Sequence, residues 1–276
     1  MFVYDELLLH KVQQCELEIL KEVDRICRRH KIRYFAIGGT ALGAVRHHGF
    51  IPWDDDIDIA MPRKDYKHFL TVAEKELPKT YFIQNFYTEP DTPFYFTKIR
   101  KKDTQFVEYY LRDAKIHQGI FIDIFPFDHV PTASVLRKAH FIWCRFLYQM
   151  FLAKSLTTAC STRFARKRNW KERIRIVLHL LLTPVPKKIL FYVLDESVQL
   201  FNRRPSEEIS HIVRKRLRVS IRDLYPRSFY PFENMRIPLP AETDKYLSGQ
   251  FGDYMTLPPE DKRYGHLPYS VSIKER

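Results

Sequence analysis

The sequence predicts an α+β protein: a mixed sheet with flanking helices, interrupted by an inserted helical subdomain. Three observations carry this. Residues 1–133 alternate segments of helical apolar spacing with short runs rich in aromatic and β-branched residues. From Ser134 to about Phe201 the apolar period becomes helical and stays so. Short strands and turns then return to the end of the chain. The 276 residues, 45% of them hydrophobic, can fill one large core or two small ones. The division that follows is a core over 1–133, a basic helical insertion over 134–205, and a segment over 206–276 that completes the core.

Each element has a local reason. Leu8, Val12, Cys15, Ile19, Val23 and Ile26 recur at helical spacing, which predicts an amphipathic helix from about Asp5 to Arg29. Tyr34–Ile37 reads as a short strand closed by a glycine turn, with Thr40 as cap of a helix over Ala41–Arg46. The stretch GFIPWDDDIDIAMP (49–62) carries a strand stopped by Pro62, followed by a helix over Asp65–Glu76. YFIQNFY, FYFTKIR and TQFVEYY read as successive strands, and QGIFIDIFPFD as another, ending at Pro126. The helical block is broken at Thr183–Pro186, and RSFYPFENMRIPLP and YLSGQFGDYMTLPPEDKRYGHLP close the chain as short strands and turns.

The formal net charge is +13, and much of it lies between residues 137 and 218. Such a surface suits nucleic acid, an anionic membrane or a phosphorylated substrate, and equally a plain solvated helical face. Cys15, Cys27, Cys144 and Cys160 are widely spaced, which supports neither a zinc site nor a disulfide framework and points to reduced thiols in a cytoplasmic protein. The acidic N-terminus is unlike a signal peptide, and no apolar run approaches the ~20 residues that span a bilayer.

Chemistry concentrates in three places. In a strand, alternate side chains share a face, so Asp54, Asp56 and Asp58 project one way while Ile57 and Ile59 anchor the other, and Asp55 points away and is dispensable. Repelling carboxylates held this close either raise a pKa or bind a divalent cation, and hard oxygen ligands suit Mg²⁺ or Mn²⁺. Gly38-Gly39-Thr40, between a strand and a helix start, lets the backbone approach a phosphate. Asp123, set between Ile122 and Ile124, is costly to bury alone. Beside Asp56 and Asp58 it would complete a three-carboxylate site.

The order strand, Gly38-Gly39-Thr40, helix, Asp56/Asp58, and later Asp123 resembles the nucleotidyltransferase fold of DNA polymerase β-like enzymes. More specifically, GGTALGAVRHHGFIPWDDDIDIAMPRKDY resembles the signature of the LicD family, phosphorylcholine transferases of bacterial surface glycans with fukutin-type relatives in animals. KIRKKDT (98–104), FIDIFPFD (121–128) and FGDYMTLPPEDKRYGH (251–266) agree, so the likeness covers about residues 15–266. The resemblance implies a metal-dependent phosphotransferase. It would move a phospho-alcohol such as phosphocholine from a CDP-linked donor, CDP-choline first, to a hydroxyl of a glycan such as lipopolysaccharide or teichoic acid, releasing CMP. Asp56, Asp58 and Asp123 would be the catalytic metal ligands; Gly38, Gly39 and Thr40 would cradle phosphate, with Arg46, Lys98 and Arg100 neutralising it. An ordinary ion pair is an equal reading of each cation; His47, His48 and His266 invite a general-base role, with capping or packing the simpler reading of each. Trp53 reads first as a core aromatic. Residues 134–201 match no motif of the family and are free to shape acceptor choice or to touch the inner face of a membrane peripherally.

Two other readings remain at this point. A nucleotidyltransferase using an NTP would share the three carboxylates and release pyrophosphate. A non-catalytic protein would bind RNA or lipid through the basic block, with strong salt dependence. No nucleic-acid partner is expected, because an RNA binder needs no carboxylate trio.

Overall fold

Helix α1 (Glu6–Arg29) opens the computed structural model, which describes residues 5–156, 170–212, 218–266 and 268–273. Asp5 caps it, accepting from the Leu7 N–H at 3.3 Å. There follow β1 (Phe35–Ala36), α2 (Gly38–Arg46), β2 (Asp58–Pro62), α3 (Arg63–Glu76), β3 (Tyr81–Gln84), β4 (Thr97–Lys101), β5 (Thr104–Val107) and β6 (Phe121–His129). The main sheet runs in the order β1-β2-β6-β4-β3. β2 and β6 are parallel and the other neighbours antiparallel, so the sheet is mixed and flanked by helices, as the sequence predicts. One face of α1, from Leu17 to Cys27, packs into the core with Phe35, Ile59, Ile99, Ile124 and Phe127.

Two boundaries differ from expectation. α2 begins at Gly38, with Ile37 at its N-cap, so Thr40 lies inside the helix; its hydroxyl turns instead to β2. β6 continues past Pro126 to His129. A proline is tolerated there because it falls between the two partners on that edge: β4 pairs as far as Ile124, and the next partner, β7 (Glu208–Ser210), begins at Asp128. His211 fills the gap, with Nδ1 3.2 Å from the Pro126 carbonyl.

Helices α4 (Ser134–Ser155), α5 (Trp170–Leu181) and α6 (Lys187–Gln199) form the insertion, broken at the anticipated Thr183–Pro186. The basic run 163–168 and Cys160 lie outside the described residues. α4 and α6 share a core of their own, in which Phe141, Cys144, Leu147 and Phe151 meet Leu190, Phe191 and Leu194. Phe86, from the connection after β3, stacks on Phe191 at 3.9 Å between centroids. Arg63 ties this unit to the sheet, bonding Asp128 twice (2.7 and 2.6 Å) and reaching Asp195 at 3.6 Å. Among the described residues, no helix is long and apolar enough to cross a membrane.

Beyond the insertion, β7 and β8 (Arg218–Ser220) extend the sheet from the far end of β6. α7 (Ile221–Leu224), the hairpin of β9 (Ser228–Phe232) and β10 (Met235–Leu239), and α8 (Thr243–Phe251) follow. α8 occupies sequence expected to be irregular. The chain then crosses the acidic stretch and ends in β11 (Ser270–Ile273), paired with β5. Cys15, Cys27 and Cys144 are buried free thiols, as expected.

Candidate active site

Sheet register brings the distant acids together. Asp58 lies opposite Asp123 in the parallel pair, and Asp123 lies opposite Lys98 in the antiparallel one. Directly paired residues share a face, so Asp58, Asp123 and Lys98 form a row across three strands. The Lys98 ammonium donates to Asp123 Oδ2 at 3.2 Å and lies 2.9 Å from Oδ1 in an ion pair. All three side chains are buried.

Asp54, Asp55 and Asp56 precede the strand, because β2 starts only at Asp58. The Asp54 N–H closes a turn onto the Ile51 carbonyl at 2.9 Å. Strand alternation therefore does not extend back through the aspartates, and Asp55 does not point away from the cluster. It is 0% exposed, and one oxygen accepts from both the His266 backbone N–H (2.8 Å) and the His266 imidazole Nδ1 (3.0 Å). The same Nδ1 is 3.7 Å from Asp56. A side chain at Gly265 would meet Asp55 at 2.5 Å and the Trp53 carbonyl at 2.8 Å, so only glycine lets the C-terminal strap, residues 252–266 after α8, lie this close.

The glycine turn supports the cluster from below. Gly38 has φ +56°, the left-handed region that favours glycine, and a Cβ on it would stand 3.4 Å from Asp58 Oδ2. At Gly39 a Cβ would come within 2.5 Å of Asp54 Oδ2. The Thr40 hydroxyl accepts the Asp58 N–H at 2.8 Å and holds the first residue of β2 in place.

Negative charge is crowded here. Burial, then Asp56 and Asp55, push the Asp54 carboxyl up to about 8. The hydrogen bond to Asp55 and the charge of Asp56 raise the His266 imidazole to about 10. Glu16, a buried residue of α1, is raised well above the usual range by burial and by Asp56, Asp55 and Asp54. Neither of its oxygens has a hydrogen-bond partner among the described residues. Burial raises Asp123 to about 6, with Lys98 pulling the other way.

Single atoms of Asp54, Asp56 and His266 lie within 4.8 Å of one another, a spacing that can hold a cation. Crowded carboxyl groups whose charged forms repel one another suit a hard divalent ion, which would favour the ionised form of each. This group differs from the anticipated Asp56, Asp58 and Asp123: Asp58 and Asp123 sit in the neighbouring sheet row, and Asp123 is engaged by Lys98.

A cavity of about 340 Å³ opens beside the cluster, lined at one end by Asp56, Asp123, Lys98 and His266. Its other walls are aromatic and aliphatic: Phe94 and Phe121 from the core, Tyr110, and Tyr148 and Leu152 of α4. Lys98 also lies over the Phe121 ring, 3.3 Å from its centroid.

The remaining anticipated residues go elsewhere. Arg100 is fully buried, donating from Nη1 to the Gly119 carbonyl at 2.6 Å and from Nε to Gln84; it does not line the cavity, and its Nη2 lies 3.8 Å from Glu108, which does. Arg46 donates to His47 and to the Tyr254 carbonyl (both 2.9 Å), which fastens the C-terminal strap. His47 packs edge-on to Trp53, and Arg263 covers the Trp53 ring at 5.5 Å. His48 sits in a turn at φ +57°. Sequence reasoning passed over Glu16, set at helical spacing among buried residues, and treated His266 as a packing residue. RYGH at 263–266, the end of the strap, was the available signal for His266.

A sheet row of acids fed by a glycine turn defines a class before it defines a protein. Residues 31–167 match a family described as LicD/FKTN/FKRP, nucleotidyltransferase domain. Over 289 aligned positions, covering 95% of this chain and 96% of the other, the chain is 28% identical to the lipopolysaccharide cholinephosphotransferase LicD of Haemophilus influenzae. Shorter matches reach uncharacterised proteins of Rickettsia typhi (42% over 52 residues, 19% of this chain and 17% of the other) and Rickettsia prowazekii (41% over 51 residues, 18% and 19%). The chain belongs to the LicD family of phosphotransferases.

Proposed function

We propose that this protein transfers phosphocholine, or a similar phospho-alcohol, from a CDP-linked donor to a hydroxyl of a cell-surface glycan or its precursor, releasing CMP. The observation that carries the reading is the end-to-end similarity to a lipopolysaccharide cholinephosphotransferase, combined with a cavity whose polar end holds Asp56, Asp123, Lys98 and His266. In this reading the mixed sheet is a nucleotidyltransferase core spanning 1–133 and 206–276, with 134–205 inserted. The enzyme works from the cytoplasmic side.

Asp54 and Asp56, with Asp58 beside them, would hold Mg²⁺ or Mn²⁺, and His266 would join them on giving up the proton that Asp55 and Asp56 now favour. A bound divalent ion supplies charge neutralisation at the donor phosphates. The residues do the rest. Asp123, ionised at neutral pH yet raised to about 6, takes the proton of the acceptor hydroxyl. The acceptor oxygen bonds to the distal phosphorus as the bond from that phosphorus to the CMP oxygen breaks, and CMP leaves with the electron pair. Lys98 keeps Asp123 ionised and faces the charge that builds on the transferred group. The Gly38–Thr40 turn lies against the Asp54 and Asp58 carboxyl groups and would hold both in place for the donor phosphates.

Incubation with a divalent ion and a panel of CDP-choline, CDP-ribitol and CDP-glycerol tests this, read as CMP by chromatography. CMP formed with one donor and a glycan acceptor is the expected result. Pyrophosphate from an NTP would replace the proposal with nucleotidyl transfer, and no turnover with any donor would end it.

A further inference from the structure

The helical insertion is apolar on both sides, and its core explains only one of them. Along α4, Phe141, Cys144, Leu147 and Phe151 point inward to α6. Val135, Leu136, Ile142, Trp143 and Phe146 are exposed, and at 100° per residue they share about a third of the helix circumference. α6 repeats the pattern with Ile189, Tyr192 and Val193 exposed, and Leu200 follows just beyond it. The Trp143 indole N–H donates to Ser197 Oγ at 3.2 Å, joining the two exposed stripes. Of the 21 large hydrophobic side chains exposed among the described residues, 13 lie between 135 and 200, so the patch belongs to this unit and is not scattered. A helix facing water shows a polar outer stripe, and a contiguous apolar one marks an interaction surface.

Charge selects the partner. Residues 134–201 carry 13 Lys and Arg against 3 Asp and Glu, and α4 has no acid at all. Lys138 and Arg145 are exposed along one flank of the α4 stripe, and Lys188 lies 5.7 Å from the Tyr192 ring centroid. Of the two acids on α6, Asp195 is turned inward, accepting from the Tyr95 hydroxyl at 2.7 Å and facing Arg63, while Glu196 is exposed on the outer face as its single acid. Aliphatic side chains edged by Lys, Arg, Trp and Tyr are what a helix lying in the headgroup region presents. A twofold seam between two copies would instead set Lys138 and Arg145 of one against those of the other, a like-charge contact.

We propose that the outer face of α4 and α6 docks this protein on an anionic lipid bilayer, lying on the surface without crossing it. The docking stands whether or not the transfer reaction does. Where both hold, α4 presents one face to lipid while Tyr148 and Leu152 line the cavity from the other, which places the cavity close to the membrane surface.

The test is co-sedimentation of the full chain with phosphatidylcholine vesicles, with and without phosphatidylglycerol, at low and high salt. Binding to the phosphatidylglycerol vesicles that weakens with salt is expected. Ile142→Asp with Phe146→Asp should weaken it roughly 10-fold for each side chain, with thermal unfolding and CMP release from a water-dissolved donor unchanged. Lys138→Glu with Arg145→Glu, both at exposed positions, should weaken it as well and keeps the test valid if the aspartates disturb folding. Failure of the native protein to bind phosphatidylglycerol vesicles would overturn the proposal, as would equal binding by the native and charge-reversed proteins. So would a native dimer in sedimentation equilibrium that the Ile142 and Phe146 changes convert to monomer, since the face would then be a protein seam.

Discussion

Asp55 and His266, 211 positions apart, are joined twice: one buried carboxylate oxygen receives both the backbone N–H and the imidazole Nδ1 of the histidine. The bond pair closes the C-terminal strap over the acid cluster, and it sets the imidazole beside Asp54 and Asp56. In the proposed reaction Asp55 would act through His266 as a positioning residue, while Asp56 faces the cavity.

The two aspartates should therefore fail differently. Asp56→Asn removes a group at the reacting end and should lower CMP release by about 10²–10³-fold with the strap intact. Asp55→Asn acts through His266 and should cost roughly 10–100-fold, the range typical of groups that orient a ligand. It should also speed amide hydrogen exchange across residues 263–266. Unchanged exchange in the Asp55 variant would show that the strap is held by other contacts.

Gly39 offers a cleaner probe of the cation cluster. The backbone there suits any residue, so Gly39→Ala keeps α2, but the new methyl would stand 2.5 Å from Asp54 Oδ2 and force that carboxylate aside. Mn²⁺ affinity, read by electron paramagnetic resonance without any substrate, should fall roughly 10–100-fold, with the unfolding midpoint little changed. Native affinity in this variant would remove Asp54 from the ligand set.

Much of this was legible in the sequence and some was not, for reasons of range. The glycine turn, the acidic strand and Asp123 are each visible because period-2 and period-3.6 patterns are local, and their order implied a shared site. Asp55 was misjudged because alternation was carried back past the point where β2 begins. Glu16 and His266 reach the cluster through tertiary packing alone, which no spacing encodes. Arg100 looked like a phosphate ligand because its partners, Gln84 and the Gly119 carbonyl, lie 16 and 19 residues away. α4 as a cavity wall depends on how the insertion folds back over Phe86, again a long-range fact.

Asp123 titrates where activity can report it. Burial raises its carboxyl to about 6, against the pull of Lys98. A base works ionised, so kcat/KM should fall as pH drops through about 6. Lys98→Met removes the cation that favours the ionised form, so the acid limb should move to higher pH as the rate falls. A limb that stays in place in this variant would assign it to another group.

Thr40 joins fold and site in one hydrogen bond. Its hydroxyl receives the N–H of Asp58, while the Asp58 carbonyl receives the N–H of Ile37 at 3.1 Å, so both peptide groups at the head of β2 are held by the glycine turn. Thr40 is buried, and no water can replace the lost acceptor if valine takes its place. Thr40→Val keeps the shape and leaves a buried N–H unmet, which should cost about 1–3 kcal/mol in urea unfolding. Thr40→Ser restores the oxygen and should recover most of that loss. Because the same bond fixes where Asp58 stands, Thr40→Val should also weaken Mn²⁺ binding in the folded protein, and Thr40→Ser should not. Loss of stability with native Mn²⁺ affinity would separate the two roles and place Asp58 outside the cation's reach.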